Sequence, residues 1–255
     1  MEKLTIIKVG GKIVENDESL QSLLKEFAKI EGFKILVHGG GRSATKMAEE
    51  LGIESKMVDG RRITDKETLK VVTMVYAGLV NKNIVAKLQA LNIDAIGLTG
   101  ADMNIILSDK RPVKKIDYGF VGDVKEISAE KLFTLLKHDL VPVLAPLTHD
   151  GKGSMLNTNA DTIAAETAKA LSSSFEVDLV YCFEKAGVLM NENDESSVIQ
   201  EIDKSKFTQL VKDGVINGGM IPKLENAFES IESGVKNVII TKAENIALGG
   251  GTKIN

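Results

Sequence analysis

The sequence contains no tryptophan, and aromatic residues make up only 4% of its 255 residues. With so few aromatic side chains, a surface that stacks the bases of single-stranded nucleic acid is not expected. The net charge is −4, so the chain also lacks the strongly basic balance of a nucleic-acid-binding domain. We therefore expect small molecules as partners, and no nucleic acid.

Cysteine and long apolar segments are also scarce. The one cysteine, Cys182, excludes an intramolecular disulfide and is compatible with a reducing compartment. It lies in an apolar run at 179–183, which predicts an inert thiol in the core. The N-terminus lacks the basic segment and apolar run of a signal peptide, and no stretch reaches the roughly 18 apolar residues of a membrane helix. We expect a soluble, cytoplasmic protein with no membrane partner.

What the sequence does contain is an alternation of short apolar runs and amphipathic helical patterns. Strands that are apolar on both faces and separated by helices indicate a mainly parallel sheet covered on both sides. The predicted fold class is therefore α/β, a three-layer αβα sandwich. Strands are predicted at 4–9, 35–37, 95–98, 141–144, around 179 and at 238–240, where the series closes. Helices are predicted at 19–30, 43–51 (capped by Ser43), 68–91, 160–171 and from 220 onward.

Two segments depart from this alternation. Between 104 and 124, short alternating segments with turn residues predict β-hairpins over the edge of the main sheet, in the N-terminal lobe. The run of three serines at 172–174 is the best candidate seam between two lobes. We place the lobes at 1–172 and 173–255.

Two glycine runs follow the first two predicted strands, where active sites of open α/β sheets lie. Lys8 stands just before Gly10 and Gly11, and His38, interpreted as a strand-end residue, precedes the glycines at 39–41. Glycines at such a place let backbone N–H groups approach an anion, and a helix N-terminus adds its dipole. Either run alone is equally explained as a tight strand-to-helix turn. Two runs with a lysine beside the first favour a phosphate site.

The two best-known nucleotide motifs are missing. The P-loop pattern G-x-x-x-x-G-K-[ST] does not occur. The dinucleotide fingerprint also fails, because Arg42-Ser43-Ala44 follow Gly41 without a third glycine at the required spacing. A dinucleotide oxidoreductase is therefore not supported. Without a Cys/His cluster we also predict no zinc site and no protein-held metal.

Two later segments carry further polar groups. Residues 157–161, Asn-Thr-Asn-Ala-Asp, lead into a predicted helix, and helix capping by Asn159 with Asp161 at the helix dipole would explain them. Lys223 stands near the start of another helix, where it opposes the dipole and makes better sense facing a bound anion. Two lysines, glycine amides and one carboxylate suit phosphoryl transfer, in which a protein mainly positions groups and neutralises charge.

Taken together, these motifs resemble the N-acetylglutamate kinase family of the amino acid kinase superfamily. The resemblance runs collinearly from Lys8 to the C-terminal residues 251–254. Asn-x-Asn-Ala-Asp and Gly-Gly-Met-x-Pro-Lys in this order are specific to the subfamily, whereas Lys-x-Gly-Gly marks only the superfamily. The matching motifs are Lys-x-Gly-Gly at 8–11, the glycines at 39–41, Arg62 in the segment 59–64, Asn-x-Asn-Ala-Asp at 157–161 and Gly-Gly-Met-Ile-Pro-Lys at 218–223.

This resemblance implies an amino acid kinase fold and ATP-dependent phosphorylation of the side-chain carboxylate of N-acetyl-L-glutamate, an early step of arginine biosynthesis. Lys8 and Lys223 would hold the transferring phosphoryl group, and Asp161 would orient both lysines. Mg²⁺ would be held mainly by the phosphates of ATP. Lobe 1–172 would bind the acyl-glutamate and dimerise, and lobe 173–255 would bind the nucleotide. The other implied site residues are Gly10 and Gly11 for the phosphoryl group, Gly40, Gly41, Arg62, Asn157 and Asn159 for the acceptor, and Lys185, Gly187, Gly218, Gly219 and Met220 for the nucleotide.

The chain departs from the family pattern at two places. Phe183-Glu184-Lys185 stand where members usually show Thr/Ser-Asp-Val, which affects contacts with the nucleotide, and Met103 stands where many have glycine. A different acyl group such as N-succinyl therefore remains an alternative, as do another amino acid kinase and a non-catalytic ligand-binding protein. The chain also lacks the N-terminal helical extension of arginine-inhibited hexameric members, which favours a homodimer.

Overall fold

The computed structural model describes residues 1–58, 60–218 and 220–255, in which strands and helices alternate along the chain. The strands are β1 (Glu2–Val9), β2 (Phe33–His38), β3 (Met57–Val58), β4 (Arg61–Arg62), β5 (Ala95–Leu98), β6 (Ile106–Lys110), β7 (Gly122–Ile127), β8 (Val141–Leu144), β9 (Leu147–His149), β10 (Met155–Asn157), β11 (Phe175–Phe183), β12 (Glu201–Ile202), β13 (Asn237–Lys242) and β14 (Thr252–Ile254). The α-helices are α1 (Gly11–Glu15), α2 (Asp17–Lys29), α3 (Gly41–Glu50), α4 (Lys66–Val72), α5 (Asn81–Gln89), α6 (Ala129–Lys137), α7 (Ala160–Leu171), α8 (Lys204–Lys212) and α9 (Met220–Glu232).

Eight strands form the main sheet, in the order β12-β14-β13-β11-β1-β2-β8-β5. Neighbouring strands run parallel, except that β14 is antiparallel to β13. The mainly parallel sheet is therefore confirmed. The prediction that 238–240 closes the series is wrong, because the chain turns back after β13 and adds β14 beside it. β14 has only three residues, with the charged Lys253 at its centre, too short for an apolar run to show in the sequence.

Strand β1 shows how the sheet divides the interior into two cores. Successive side chains of a strand point to opposite faces. Leu4 and Ile6 contribute to the core beneath α6 to α9, and Ile7 and Val9 contribute to the core beneath α1 to α5. The predicted αβα sandwich is therefore confirmed. The same alternation puts Lys8 on the α7 and α9 face, at the carboxyl end of β1.

The helix starts differ from the predicted ones. Helix α2 begins at Asp17, with the side chain of Asn16 accepting a hydrogen bond from the amide of Ser19 (2.8 Å). The prediction that Ser43 caps α3 is wrong, since that helix begins at Gly41 with Gly40 at the N-cap and no side-chain cap. Glycine is acceptable at an N-cap, so the chain passes from β2 into the helix within the glycine run.

The long helix predicted over 68–91 is confirmed, but its winding changes along its length. Helical residues run without a break from Lys66 to Gln89, and the middle segment, Thr73–Val80, is π-helical. Insertions of this kind in an α-helix are rare and frequently occur at functional sites. Tyr76, within the π-helical segment, lies against the second glycine run.

A second sheet of four strands, in the order β10-β9-β6-β7, lies beside the carboxyl ends of the main strands. Its β6 and β7 are antiparallel, which confirms a hairpin in the predicted region. The sequence analysis did not anticipate β9 and β10, which are three residues each. This small sheet carries Asn157 on β10, so it supplies part of the site described below.

Several simpler predictions can be compared with this structure. Cys182 is buried, and burial raises the pKa of its thiol to about 12, so it is an inert core residue as predicted. No helix within the described residues is both long and apolar enough to span a membrane.

The predicted lobe boundary falls between α7 and β11. Because β11 pairs with β1 in one continuous sheet, the two lobes share that sheet, and the division stays a prediction.

His38 is a buried strand-end residue, as predicted. Its Nε2 accepts a hydrogen bond from Nδ2 of Asn81 (3.1 Å), which leaves the proton on Nδ1, and Nδ1 donates to the backbone oxygen of Gly39 (2.8 Å). Burial lowers the pKa of His38 to about 4. The folded protein therefore holds this imidazole neutral at pH values where the unfolded chain protonates it.

We expect this histidine to make the protein less stable in acid. Below the unfolded pKa of about 6.5 the unfolded state binds a proton that the folded state does not, so the free energy of unfolding falls by about 2 kcal/mol between pH 7 and pH 4.5. Urea unfolding at both pH values measures the fall, and His38→Gln should show a shallower one. An equal fall in the variant and the parent would assign the pH dependence to other groups.

Candidate active site

The glycine runs after β1 and β2 meet at the carboxyl edge of the sheet. The amide of Gly39 donates to the backbone oxygen of Val9 (2.9 Å), which ties the two loops together. A Cβ added to Gly11 would lie 3.8 Å from the amide nitrogens of both Gly40 and Gly41. The amides of the second run therefore lie directly beside the first, as a site for an anion requires.

Asp161, in the first turn of α7, forms an ion pair with Lys8 at the carboxyl edge of the sheet. Its Oδ1 lies 2.8 Å from Nζ of Lys8, and the two side chains are only 19% and 9% exposed. The side chain of Asn159 caps α7 by accepting hydrogen bonds from the amides of Asp161 (2.7 Å) and Thr162 (3.2 Å). The capping explanation therefore holds for Asn159, while the carboxylate of Asp161 is directed at Lys8.

Lys223 approaches the same point from the first turn of α9. Its Nζ lies 4.0 Å from the centre of the Phe183 ring, and Nζ of Lys8 lies 5.3 Å from the same centre. Burial and the charge of Lys8 lower the pKa of Lys223, and the charge of Asp161 opposes that shift. The two ammonium groups and one carboxylate carry a net positive charge, which suits an anionic ligand.

A cavity of about 380 Å³ opens from this cluster towards β13 and α9. Its wall includes Lys8, Lys223 and the backbone of Gly10 and Gly11, together with the apolar residues Val188, Leu189, Ile216, Met220 and Ile240. A wall that combines cationic groups with apolar side chains suits a ligand that has both phosphates and a base.

Most of the predicted nucleotide residues lie in this cavity wall. Lys185, Gly187 and Met220 line it. Gly187 is tightly packed, since a Cβ there would lie 2.6 Å from Oγ1 of Thr252. Gly218 is exposed and is not among the described residues that line the cavity. Gly219 lies outside the described residues.

A second cavity, of about 200 Å³, lies on the other side of the glycine runs. All five residues predicted to bind the acceptor line it: Gly40, Gly41, Arg62, Asn157 and Asn159. The side chain of Asn157 donates to Oγ1 of Thr64 (3.0 Å), which holds its amide in place. A Cβ added to Gly40 would lie 2.9 Å from Cδ1 of Tyr76, so this wall has no room for a side chain.

Arg62 is buried in the second cavity and already makes three hydrogen bonds. Its Nη1 donates to Oγ of Ser55 (2.8 Å), and its Nη2 donates to the backbone oxygen of Gly41 and to Oγ1 of Thr45 (both 2.8 Å). These bonds use three of the five donors of the guanidinium. A two-point grip on a carboxylate would require Nη2 to release one of its partners.

We expect Arg62→Lys to weaken acceptor binding strongly. Lysine would replace a planar group with several fixed donors by a single flexible point charge. If about 1.5–3 kcal/mol of charged hydrogen bonding is lost, the KM for the acceptor rises roughly 10- to 100-fold while the KM for ATP barely changes. Steady-state kinetics with each substrate varied in turn measure both values. An unchanged acceptor KM would transfer the role to Arg61, which lines the same cavity.

Sequence reasoning missed Arg111 and Lys12, two basic residues that line these cavities. Arg111 lines the smaller cavity, where it forms an ion pair with Asp123 (Nη2 to Oδ1, 2.5 Å). Lys12 forms an ion pair with Glu184 (2.5 Å), and both residues line the larger cavity. Arg111 lies in the segment 104–124, for which the sequence predicts only β-hairpins. The charge of Lys12, directly after the Lys-x-Gly-Gly motif, was the signal that could have identified it.

A comparison with known families assigns the chain to one family. The model of the amino acid kinase family matches residues 3–242 of the chain. The chain belongs to the amino acid kinase family.

Individual relatives are similar to the chain over nearly its whole length. The chain is 68% identical over 254 residues to the acetylglutamate kinase of Parabacteroides distasonis, with 100% of each chain covered. It is 61% identical to the acetylglutamate kinase of Cytophaga hutchinsonii, covering 96% of this chain and 94% of the relative. Among solved structures, smu.665 of Streptococcus mutans UA159 is 30% identical, covers 99% and 98% of the two chains and superposes with a TM-score of 0.80.

Proposed function

We propose that this protein transfers the γ-phosphoryl group of ATP to the side-chain carboxylate of N-acetyl-L-glutamate, an early step of arginine biosynthesis. The relatives named acetylglutamate kinase match the chain over its whole length, and both cavities have the chemistry that this reaction needs. The nucleotide would occupy the larger cavity, which is lined mostly by residues of lobe 173–255 and closed by residues 8–13 of the other lobe, and the acyl-glutamate would occupy the smaller one, in lobe 1–172.

The observation that carries this proposal is the contact between the two cavities. Gly11 lines the larger cavity and Gly40 lines the smaller one, and a Cβ added to Gly11 would lie 3.8 Å from the amide nitrogen of Gly40, so the two residues are neighbours. The ion pair of Lys8 and Asp161 lies at the same place. A nucleotide and an acceptor bound on opposite sides would therefore meet where cationic groups and backbone amides converge, which is what phosphoryl transfer needs.

The reaction needs no general base, because the attacking carboxylate is already ionised at neutral pH. One carboxylate oxygen forms a bond to the γ-phosphorus while the bond from that phosphorus to the bridging oxygen breaks. ADP leaves with the electron pair, and the product is an acyl phosphate. Lys8 and Lys223 offset the negative charge on the transferring group, and Asp161 holds Lys8 in place.

The larger cavity suits ATP because its wall contains both lysines for the phosphates and apolar side chains for the base. Mg²⁺ in such sites usually keeps several waters and binds through substrate phosphates and one or two carboxylates. We propose that the phosphates of ATP hold Mg²⁺ here, as the resemblance implies. It would supply charge neutralisation between the β- and γ-phosphates.

The test is a coupled assay of ADP release with N-acetyl-L-glutamate, accompanied by hydroxylamine trapping of the acyl phosphate. Unacylated glutamate serves as the matched control, because it has both carboxylates but lacks the acyl group. We expect ADP release and trapped hydroxamate in equal amounts with the acylated substrate. ADP release without hydroxamate, or a preference for free glutamate, would contradict the proposal.

A different acyl group is the second candidate, and Arg111 favours it. Acetyl is neutral, but Arg111 brings another guanidinium into the acceptor cavity beside Arg61 and Arg62. A dicarboxylic acyl group such as N-succinyl would give this arginine an anionic partner in place of Asp123. Adding N-succinyl-L-glutamate to the same assay decides between them by the ratio of the two kcat/KM values.

We also propose that the protein acts as a homodimer. Two large apolar side chains within the π-helical segment, Met74 and Leu79, are about half exposed (54% and 50%). Exposed apolar residues on one helix surface are typical of an interface between subunits. Light scattering on the purified protein should give twice the mass of one chain, and the mass of a single chain would contradict this expectation.

A further inference from the structure

We propose that Phe183 is a positioning residue, whose ring face holds the ammonium groups of Lys8 and Lys223 together at the point of phosphoryl transfer. This inference rests on the proposed function for its catalytic consequence. Phe183 is the last residue of β11, at the position where the chain departs from the pattern of the family it resembles.

The distances support one aromatic ring serving two cations. Nζ of Lys223 lies 4.0 Å and Nζ of Lys8 lies 5.3 Å from the ring centre. Both are within the distance of about 6 Å at which the negative face of an aromatic ring attracts a cation. No other ring in the described part of the chain faces two lysines that line the same cavity.

Two neighbouring ammonium groups would otherwise repel each other. Asp161 lies within ion-pair distance of Lys8, and Lys223 feels the same carboxylate from farther away. Phe183 adds an attraction that acts on both lysines without adding a full negative charge. A second carboxylate at this place would compete with the incoming phosphates for the lysines, whereas a ring face offsets repulsion and leaves the net charge positive.

The ring is itself held in orientation. Tyr181, two residues earlier on the same face of β11, stacks on Phe183 with 6.3 Å between ring centres and 9° between ring planes. Tyr181 is buried in the core beneath α7 and lies opposite Lys8 in the register of β11 and β1. The ring face directed at the lysines is therefore fixed by the sheet and by the core.

Stepwise fluorination of Phe183 tests this inference. Incorporating phenylalanine with one, two and five ring fluorines keeps a similar side-chain shape while it progressively removes the negative electrostatic potential of the ring face. If the ring positions the lysines, kcat falls progressively, by about 3- to 30-fold across the series, the range expected for cation–π contacts in a partly desolvated site. The KM for the acyl-glutamate should barely change, because Phe183 does not line the acceptor cavity.

Phe33 provides the matched control. Its ring faces Nζ of Lys137 at 4.9 Å, but it stands at the start of β2, at the edge of the sheet opposite to the site. The same fluorination at Phe33 should leave kcat unchanged. A kcat that stays constant across the Phe183 series, or that falls equally in both series, would overturn the inference.

Two further measurements keep this test separate from that of the proposed function. Phe183→Leu keeps an apolar side chain but removes the ring, and Phe183→Tyr keeps the ring. We expect low kcat in the first and recovery in the second, and equally low values in both would show a purely steric role.

If the parent phosphorylated no acyl-glutamate, the proposed function would fail. Calorimetric affinity for a nonhydrolysable ATP across the fluorinated series would then decide the inference, with weakening supporting it and constant affinity overturning it.

Discussion

Lys8→Ala and Lys223→Ala are each expected to lower kcat by about 10²–10³-fold, the usual cost of removing one preorganised group that stabilises charge in the transition state. Both ammonium groups face the place where the two cavities meet. Their charge matters most when negative charge is redistributed during transfer, so the KM values should change much less than kcat. Steady-state kinetics with ATP and the acyl-glutamate varied separately distinguish the two effects.

The two variants should differ in stability, which provides an internal check. Lys8→Ala leaves the largely buried carboxylate of Asp161 without its ion-pair partner, so its melting temperature should fall. Lys223 has a lowered pKa from burial, and replacing it relieves a desolvated charge, so Lys223→Ala should melt close to the parent. Lys204→Ala, at a lysine that is 64% exposed on α8, is the control and should alter neither quantity. Near-normal kcat in both active-site variants would contradict the mechanism.

Asp161→Asn should leave the protein folded and strongly reduce its activity. Asn159 caps α7, so the helix terminus retains its cap, and the charge lost at the dipole is worth roughly 0.3–1 kcal/mol. The variant also leaves the buried ammonium group of Lys8 without its ion-pair partner, so its melting temperature should fall as that of Lys8→Ala does. The catalytic loss is larger. Without the carboxylate, Lys8 loses its ion pair and the two lysines repel each other, and displacements of about 1 Å can lower the rate on the order of 10²-fold.

The experiment compares melting temperature and kcat on one preparation of each variant. Asn159→Asp is the matched control for the cap, because aspartate caps a helix about as well as asparagine. Asn159 also lines the smaller cavity, so any loss of activity in Asn159→Asp should appear as a higher KM for the acyl-glutamate. If Asp161→Asn retained normal turnover, Asp161 would be only a helix-terminus residue, and the ion pair with Lys8 would have no catalytic role.

Several features of this protein follow from short stretches of sequence. Apolar runs such as 4–9 and 141–144 predict strands because burial on both faces requires continuous apolar residues. Glycine runs directly after β1 and β2 predict close-approach loops because glycine lacks a Cβ. The residue types of Lys8, Asp161 and Lys223 suggested one phosphoryl-transfer group, and the family resemblance gave each residue its role. The structure brings these residues to one edge of the sheet.

Other features were decided by the tertiary structure alone. The residues that touch here are far apart in the chain, and their contacts depend on strand order and register, which apolar periodicity does not contain. Strand order brings Phe183, at the end of β11, beside Lys8, at the end of β1, and the small sheet brings Arg111 into the acceptor cavity. The sequence by itself therefore determined six strands of the main sheet, the glycine loops and the chemical groups available, because these depend on local composition. The tertiary structure decided which groups meet, because a side-chain contact depends on distances that only the packed sheet and helices set.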